Sequence, residues 1–331
     1  MDKIVITGGA GFIGSHIVDE YAEKYPDAHI TVLDKMTYAA DVQNIMHHLD
    51  KKNFRLLVGD LRDMHICLQA VQGADLVIHA AAESHVDNSF GNSIEFSKTN
   101  VEGTHCLMEA CRQTRVPKII HVSTDEVYGE IIEGAAHENY PLLPTNPYSA
   151  SKAAAEMIIN SYKKSFNLPV IIVRANNIFG IRQYPEKLIP KFITLLATGQ
   201  KLTLHGNGQN RRHFLAARDF SRALLILTEK GAVGECYNIG NTDEFRNIEV
   251  THLLCDIFGV NPEQYITYVE DRPFNDARYA VVWDKISALG WKPEIELREQ
   301  LPAMAKWYVA NLQRYHNDGV RVVNFPMGWN A

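Results

Sequence analysis

A chain of 331 residues with 46% apolar and 22% charged side chains has ordinary globular composition and enough material for a sizeable core, and its length suits one large domain with a smaller lobe attached. With 33 basic against 39 acidic side chains and a net charge of -6, bulk attraction to nucleic acid or to an anionic membrane is excluded, so anionic ligands have to be met locally. No apolar run approaches the ~20 residues of a membrane helix, and five cysteines without a Cys-x-x-Cys pair or histidines at ligand spacing fit a reduced, cytoplasmic protein with no metal centre.

The chain opens on Lys3-Ile4-Val5-Ile6-Thr7, a buried-strand pattern with no leader-type segment before it. Gly8-Gly9-Ala10-Gly11-Phe12-Ile13-Gly14 then leads into a helix marked by Ile17, Val18 and Tyr21. Glycine at 8, 11 and 14 lets the backbone approach a pyrophosphate closely, and the helix start supplies free N–H groups and a favourable dipole. The strand over 30–33 ends on Asp34, placed to accept hydrogen bonds from both ribose hydroxyls of NAD and to repel the extra phosphate of NADP; Lys35 follows it. A third strand, 54–58, leads to Asp60, which suits both an adenine contact and the N-cap of a helix over 64–71. The fourth strand, 76–78, runs into His79-Ala80-Ala81-Ala82, where small side chains fit a backbone laid against a flat ligand and His79 reads as a packed histidine.

A helix over 94–112 follows, in which Thr99 and Asn100, mediocre helix formers, face a ligand or a helix groove. Lys118 to Ser123 forms the fifth strand and delivers Thr124, Asp125 and Glu126 to its C-terminal edge, where open parallel sheets bind ligands. Strands deplete Asp and Glu unless something else needs them. After a loop rich in Gly, Pro and Asn, Tyr148-Ser149-Ala150-Ser151-Lys152 opens a helix that runs to Phe166. Tyr148 and Lys152 share one helix face, a geometry in which an ammonium lowers the pKa of a phenol towards that of a usable base.

The sixth strand, 169–174, ends at Ala175-Asn176-Asn177, after which regular β/α alternation fades. The reading is therefore a Rossmann-type, doubly wound parallel sheet over 1–175, a smaller and partly interleaved substrate lobe over 176–315, and a tail over 316–331. The lobe carries Tyr184 to Pro190, a short strand from Leu202 to His205, Arg211-Arg212-His213, Tyr237-Asn238 and Asp271-Arg272-Pro273-Phe274-Asn275-Asp276. Arg212 and Arg278 are candidates for gripping a diphosphate, because a planar guanidinium matches phosphate oxygens in a bidentate fork.

With these motifs in hand, the sequence resembles the extended short-chain dehydrogenase/reductase superfamily and, within it, the nucleoside-diphosphate-glucose 4,6-dehydratases of the dTDP-glucose type. The likeness covers residues 3 to about 312 and rests most heavily on Ala81-Ala82-Glu83-Ser84-His85-Val86-Asp87, Ser123-Thr124-Asp125-Glu126-Val127-Tyr128-Gly129, Pro185 to Pro190 and Asp271-Arg272-Pro273. Related 4-epimerases have non-acidic residues where this chain has Asp125 and Glu126. Phe274-Asn275-Asp276 and the stretch Asn139 to Asn146 look more like the UDP-glucose dehydratases of plant rhamnose synthases and their animal relatives, so the choice between dTDP and UDP stays open.

The resemblance implies NAD as cofactor, with Phe12, Ile13, Asp34, Lys35, Thr37, Asp60, Leu61, Ala80, Ala82, Thr99, Tyr148, Lys152 and Asn177 contacting it beside the glycine turn. It implies nucleotide-sugar contacts from Ser84, Thr124, Asn176, Lys187, Leu202, His205, Arg212, Asn238 and Arg278. Thr124, Asp125, Glu126, Tyr148 and Lys152 are the expected catalytic set, and the helices over 94–112 and 148–166 are expected to pair across a homodimer as a four-helix bundle. A nucleotide-sugar 4-epimerase or decarboxylase is the nearest rival; a non-catalytic NAD-binding partner protein is a more distant one.

Overall fold

Six apolar, β-branched runs and a seventh drawn from the second lobe make one parallel sheet. The computed structural model describes residues 1–315, and the expected tail over 316–331 lies outside the described residues. In chain order the strands are β1 (Lys3–Thr7), β2 (His29–Asp34), β3 (Phe54–Val58), β4 (Leu76–His79), β5 (Ile119–Thr124), β6 (Val170–Ala175), β7 (Asn177–Phe179), β8 (Leu202–His205), β9 (Arg211–Ala216), β10 (Cys236–Ile239), β11 (Glu244–Arg246) and β12 (Ile266–Val269). The large sheet has the order β10-β6-β5-β4-β1-β2-β3. Its strand order turns back between β1 and β4, and the register pairs Thr7 with His79 and Thr124 with Ala175, so the carboxyl ends of the strands form one edge. Ligand clefts form at such a reversal.

Helices cover both faces of this sheet. Phe12–Lys24 and Ala217–Lys230 bury Ile17, Val18, Tyr21, Phe220 and Leu224 on one side. Met64–Val71, Gly103–Thr114 and Pro147–Phe166 bury Cys67, Leu107, Cys111 and Ile159 on the other. Each such aliphatic side chain contributes roughly 1.5–3 kcal/mol when fully buried. The second lobe packs Phe192, Ile193, Leu254, Phe258, Met304 and Tyr308 between three helices and two small sheets, β11-β9-β7 and β12-β8. The chain crosses back from it, because β10 pairs in parallel with β6 and the Ala217–Lys230 helix packs beneath the first sheet.

The helix expected over 94–112 is not uniform. It begins as Ser93–Phe96, is wound as a π-helix over Ser97–Glu102, and continues as Gly103–Thr114. A π-turn inserts a residue into the α-helical ladder and recurs at functional sites; here it falls on Thr99 and Asn100. The Pro147–Phe166 helix is regular, with the Asn146 side chain accepting from the Ser149 N–H at 2.9 Å and Pro147 at its first position. No helix among the described residues is long and apolar enough to cross a membrane.

Candidate active site

The carboxyl edge of the large sheet opens into a cleft of about 270 Å³ between the two lobes. Its floor at one end is the glycine turn. Gly8 holds φ at 70°, and a Cβ there would lie 2.7 Å from the Ala81 Cα; a Cβ on Gly14 would lie 2.0 Å from the Gly8 carbonyl oxygen. Neither position admits a side chain, so at Gly8 and Gly14 the turn presents only backbone. Asp34, at the end of β2, accepts from the backbone N–H of Ala10 and Met36 at 2.9 and 2.8 Å, and burial holds its carboxyl above the usual range.

Gly8, Gly11, Phe12, Ile13 and Gly14 line this end together with Asp34, Lys35 and Thr37. Ala80, Ala82, Thr99 and Asn177 line the middle, and the Thr99 Oγ1 and Asn177 Oδ1 atoms are buried with no partner in the protein. Orphaned polar atoms in a cleft call for a ligand with complementary groups, and with the side-chain-free glycine turn they fit a dinucleotide such as NAD. Asn100 does not face the cleft: its Oδ1 accepts from the Glu83 N–H, while its Nδ2 donates to the Glu83 carbonyl and to Ser151 Oγ, each at 2.9 Å. This amide fixes the loop after β4 against the helix that carries Tyr148. His79 is a packed histidine, bridging Thr7 and Thr104 at 2.8 and 2.9 Å, with its pKa pulled down to about 3, first by burial and then by the Lys152 charge.

At the other end lie Thr124, Asp125, Glu126, Tyr148 and Lys152, all buried. A single turn of 3-10 helix, Asp125–Tyr128, carries the two carboxyls, which take different partners. Asp125 accepts from Asn176 Nδ2 at 2.8 Å and from Thr124 Oγ1 at 3.3 Å. Glu126 accepts from Asn146 Nδ2 at 3.3 Å. Burial, followed by the Glu126 charge, pushes Asp125 up to about 7; burial also raises Glu126, against the pull of Lys187 and Arg212.

The expected effect of Lys152 on the phenol differs from the arrangement found. Lys152 Nζ donates to the Val122 carbonyl at 2.7 Å, and burial pulls the ammonium down to about 8. The Tyr148 phenol is pushed above its ordinary value by burial and then by Glu126 and Asp125, with only the Thr124 hydroxyl opposing. Sharing a helix face is not contact: the lysine is drawn to a carbonyl on β5.

Several other expectations change. Asp60 caps no helix; Asp63 does, accepting from the His65 and Ile66 N–H groups, while Asp60 binds Arg62 and Lys35 and is pulled well down despite the opposing effect of its burial. Neither Asp60 nor Leu61 lines the cleft; Leu61 packs beneath Gly103. Asn238 is fully buried and does not line the cleft; it accepts from Tyr128 Oη at 2.7 Å and donates to the Ala136 and Val282 carbonyls at 3.0 Å. Leu202 is buried in the second core, and His205 is half-buried beyond the cleft lining.

Ser84, Asn176 and Lys187 do line the cleft, with Lys187 Nζ donating to the Ser84 carbonyl at 2.7 Å. Arg278 is held by Glu244 at 2.5 Å and by the Gly134 carbonyl at 2.8 Å. Arg212 donates to the Asp276 carbonyl at 2.9 Å and lies over the Tyr279 ring at 4.6 Å, close enough for its charge to act on both acidic side chains. Sequence reasoning missed Asn146, Asp276 and Tyr279. Asn146 carried a signal, an Asn-Pro pair opening a helix; Tyr279 carried none.

The only described trio of His and carboxylate ligand atoms close enough for a metal is Asp19 with His47 and His48, and none of the three lines the cleft. Arg182 donates to Asp19 at 2.7 Å and Lys51 lies 3.0 Å from His48 Nδ1, so the group is already satisfied.

A family model described as GDP-mannose 4,6 dehydratase matches residues 5–304. The chain is 46% identical over 315 residues to the trifunctional UDP-glucose 4,6-dehydratase/UDP-4-keto-6-deoxy-D-glucose 3,5-epimerase/UDP-4-keto-L-rhamnose-reductase of Arabidopsis thaliana; the match covers 93% of this chain but 47% of that protein, so this chain spans about half its length. It is 41% identical over 332 residues to the dTDP-D-glucose 4,6-dehydratase of Mus musculus, covering 98% of this chain and 94% of that one. The dTDP-glucose 4,6-dehydratase of Streptomyces venezuelae, solved with NAD bound, superposes with a TM-score of 0.92 at 38% identity, covering 95% of this chain and 99% of that one. A dinucleotide cleft ending in a buried pair of acids thus stands on a fold shared along nearly the whole chain, and the chain belongs to the GDP-mannose 4,6 dehydratase family.

Proposed function

We infer that this protein is an NAD-dependent hydro-lyase that converts a nucleoside-diphosphate glucose, carrying UDP or dTDP, to its 4-keto-6-deoxy sugar. The observation that carries the reading is the buried Asp125–Glu126 pair at the end of a cleft that fits a dinucleotide, since a 4-epimerase or decarboxylase has no use for two adjacent acids beside Tyr148. Dehydratase relatives named for both UDP-glucose and dTDP-glucose support it.

The chemistry that NAD supplies when bound is reversible hydride acceptance, from C4 of the hexose and back to C6. Tyr148 takes the proton of the 4-hydroxyl, giving a ketone that acidifies the C5 hydrogen. With Asp125 in its acid form, one of the two charges that hold the phenol up is removed, which favours the ionised phenol that can take this proton. Glu126 removes the C5 proton, and Asp125 gives its own proton to the departing 6-oxygen, releasing water. Glu126 later returns a proton to C5. Neighbouring carboxyls serve as acid and base together because each makes the other harder to ionise.

In this reading residues 1–175 hold the cofactor and the reacting groups, and residues 176–315 mainly hold the nucleotide sugar, with Lys187 and Arg212 as its charged contacts. Thr124 hydrogen-bonds the sugar O4. Exposed Ile94, Met157 and Phe166 on the helical segments 93–114 and 147–166 support a homodimer formed through those helices; light scattering at twice the chain mass is the expected result. Free cysteines at all five positions support a cytoplasmic setting.

The test is incubation with UDP-glucose and dTDP-glucose side by side, with product analysis by mass and NMR. A 4-keto-6-deoxy product from one or both is expected; a 4-epimer, or loss of carbon dioxide from a uronic acid analogue, would replace the reading.

A further inference from the structure

Tyr279 stands between two carboxyls with one proton to give. Its Oη makes a very short hydrogen bond to Asp276 Oδ2 and lies 3.5 Å from Glu126 Oε2, the outer limit of such a bond. Asp276 is only 2% exposed and is held in place by Thr145 Oγ1, which donates to its two oxygens at 2.9 and 2.8 Å. A phenolic hydroxyl that directs its proton at Asp276 presents its lone pairs elsewhere, and Glu126 is the group they face. The residues lie 153 positions apart in the chain, and the contact joins the second lobe to the reacting end of the cleft.

We propose that Tyr279, oriented by Asp276 and Thr145, is a positioning residue that holds Glu126 through its protonated state during the elimination. This deepens the functional reading above and rests on it. When the Glu126 carboxylate takes the C5 proton, the C–H electron pair forms the C5–C6 double bond, the C6–O bond breaks, and the proton of Asp125 leaves with the oxygen as water. Glu126 Oε2 then carries a hydrogen that needs an acceptor, and Tyr279 Oη is that acceptor. No proton leaves Tyr279; its own hydrogen stays on its oxygen, directed at Asp276. When Glu126 gives its proton back to C5, the bond to Tyr279 lengthens again.

The charges facing Glu126 are Lys187 and Arg212, which favour its ionised form, and Asp125, Asp276 and Tyr148, whose anionic forms oppose it. Arg212 lies on the Tyr279 ring and not on its hydroxyl. Tyr279→Phe therefore keeps the stacking surface and removes one oxygen.

The experiment compares the unaltered enzyme with Tyr279→Phe in steady state and in a single turnover, following the absorbance of the reduced cofactor. The variant is expected to keep KM and the rate of C4 oxidation. Elimination is expected to slow about tenfold to a hundredfold, as for one hydrogen bond lost at a charge-bearing centre, so that reduced cofactor accumulates. The acid limb of its kcat–pH profile moves to lower pH, because a protonated Glu126 without an acceptor gives up its proton more readily. Asp276→Asn serves as second variant: it removes an anionic neighbour of Glu126, and its amide N–H donates to Tyr279 Oη and turns the phenolic proton towards Glu126, so the same limb moves in the same direction and further than in Asp276→Asn combined with Tyr279→Phe, where only the charge effect is left. A native acid limb and native elimination rate in both variants would overturn the proposal while leaving the function standing; absence of any 4-keto-6-deoxy product from the unaltered enzyme would overturn the function itself.

Discussion

Asp125 and Asn176 meet at 2.8 Å across the ends of β5 and β6, with Asn176 Nδ2 donating to the carboxyl. This is the single amide bond to a carboxyl that is otherwise buried and faces another acid. It lowers the Asp125 pKa, but burial outweighs it and the value stands near 7. A proton donor with that value is competent below about pH 7 and fails above it, so the alkaline limb of kcat is expected near neutrality. The native state here binds its proton more tightly than the unfolded chain, so this group's contribution to stability is present at low pH and is lost as pH rises towards 7. Asn176→Ala should move the limb to higher pH, because it removes a bond that favours the charged form; a limb that stays or moves down would count against Asp125 as the donor.

Glu156 and Arg174 form a buried pair at 2.6 Å, with side chains 0% and 7% exposed. Glu156 also accepts from Ser123 Oγ at 2.6 Å, and Arg174 donates to Tyr128 Oη at 2.7 Å, so the pair braces both ends of the Asp125–Tyr128 turn. Glu156→Ala leaves a buried guanidinium unpaired and is expected to cost about 3–5 kcal/mol of folding stability. Denaturant unfolding measures this directly; a loss within about 1 kcal/mol would mean that water or another group compensates.

Asn238→Ala separates a structural role from a substrate contact. It leaves Tyr128 Oη and two backbone carbonyls short of a partner, and a loss of about 1–3 kcal/mol in stability is expected. The affinity of the folded enzyme for a nucleoside diphosphate, measured by calorimetry, should change little. A large affinity loss at unchanged stability would restore the contact that the family resemblance implied.

Gly14→Ala tests the cofactor end of the cleft. The added methyl group would sit 2.0 Å from the Gly8 carbonyl oxygen, so the turn must open. NAD binding should weaken by about 1.4 kcal/mol or more, a factor of ten. Equal NAD affinity in the two proteins would show that the turn does not cradle the dinucleotide.

The six strands of the first half were legible because each is a continuous apolar run closed by glycine or a polar turn, the pattern of strands buried on both faces. β10 was not, since Cys236–Ile239 is short and nothing local says which sheet it joins. The edge carrying Thr124, Asp125 and Glu126 was legible because acids at a strand end are unusual. The N-cap at Asp63 was misplaced by three positions, as two aspartates before one helix satisfy the same rule and only geometry chooses between them. Lys152 was read by helical spacing, which fixes a face and not a partner; the Val122 carbonyl decided the partner. Tyr279 reaches Glu126 only through the packing of the second lobe against the first, and no periodicity encodes that.

In the proposed reaction Tyr148 serves oxidation at C4 while Asp125 and Glu126 serve the loss of water. This division of roles is tested most directly by single-turnover analysis of Tyr148→Phe beside the double variant Asp125→Asn with Glu126→Gln. The phenylalanine variant is expected to lose hydride transfer, and the double carboxamide variant to oxidise C4 still, accumulate reduced cofactor and eliminate water about a hundredfold or more slowly. Dehydration at the native rate by the double variant would contradict this division.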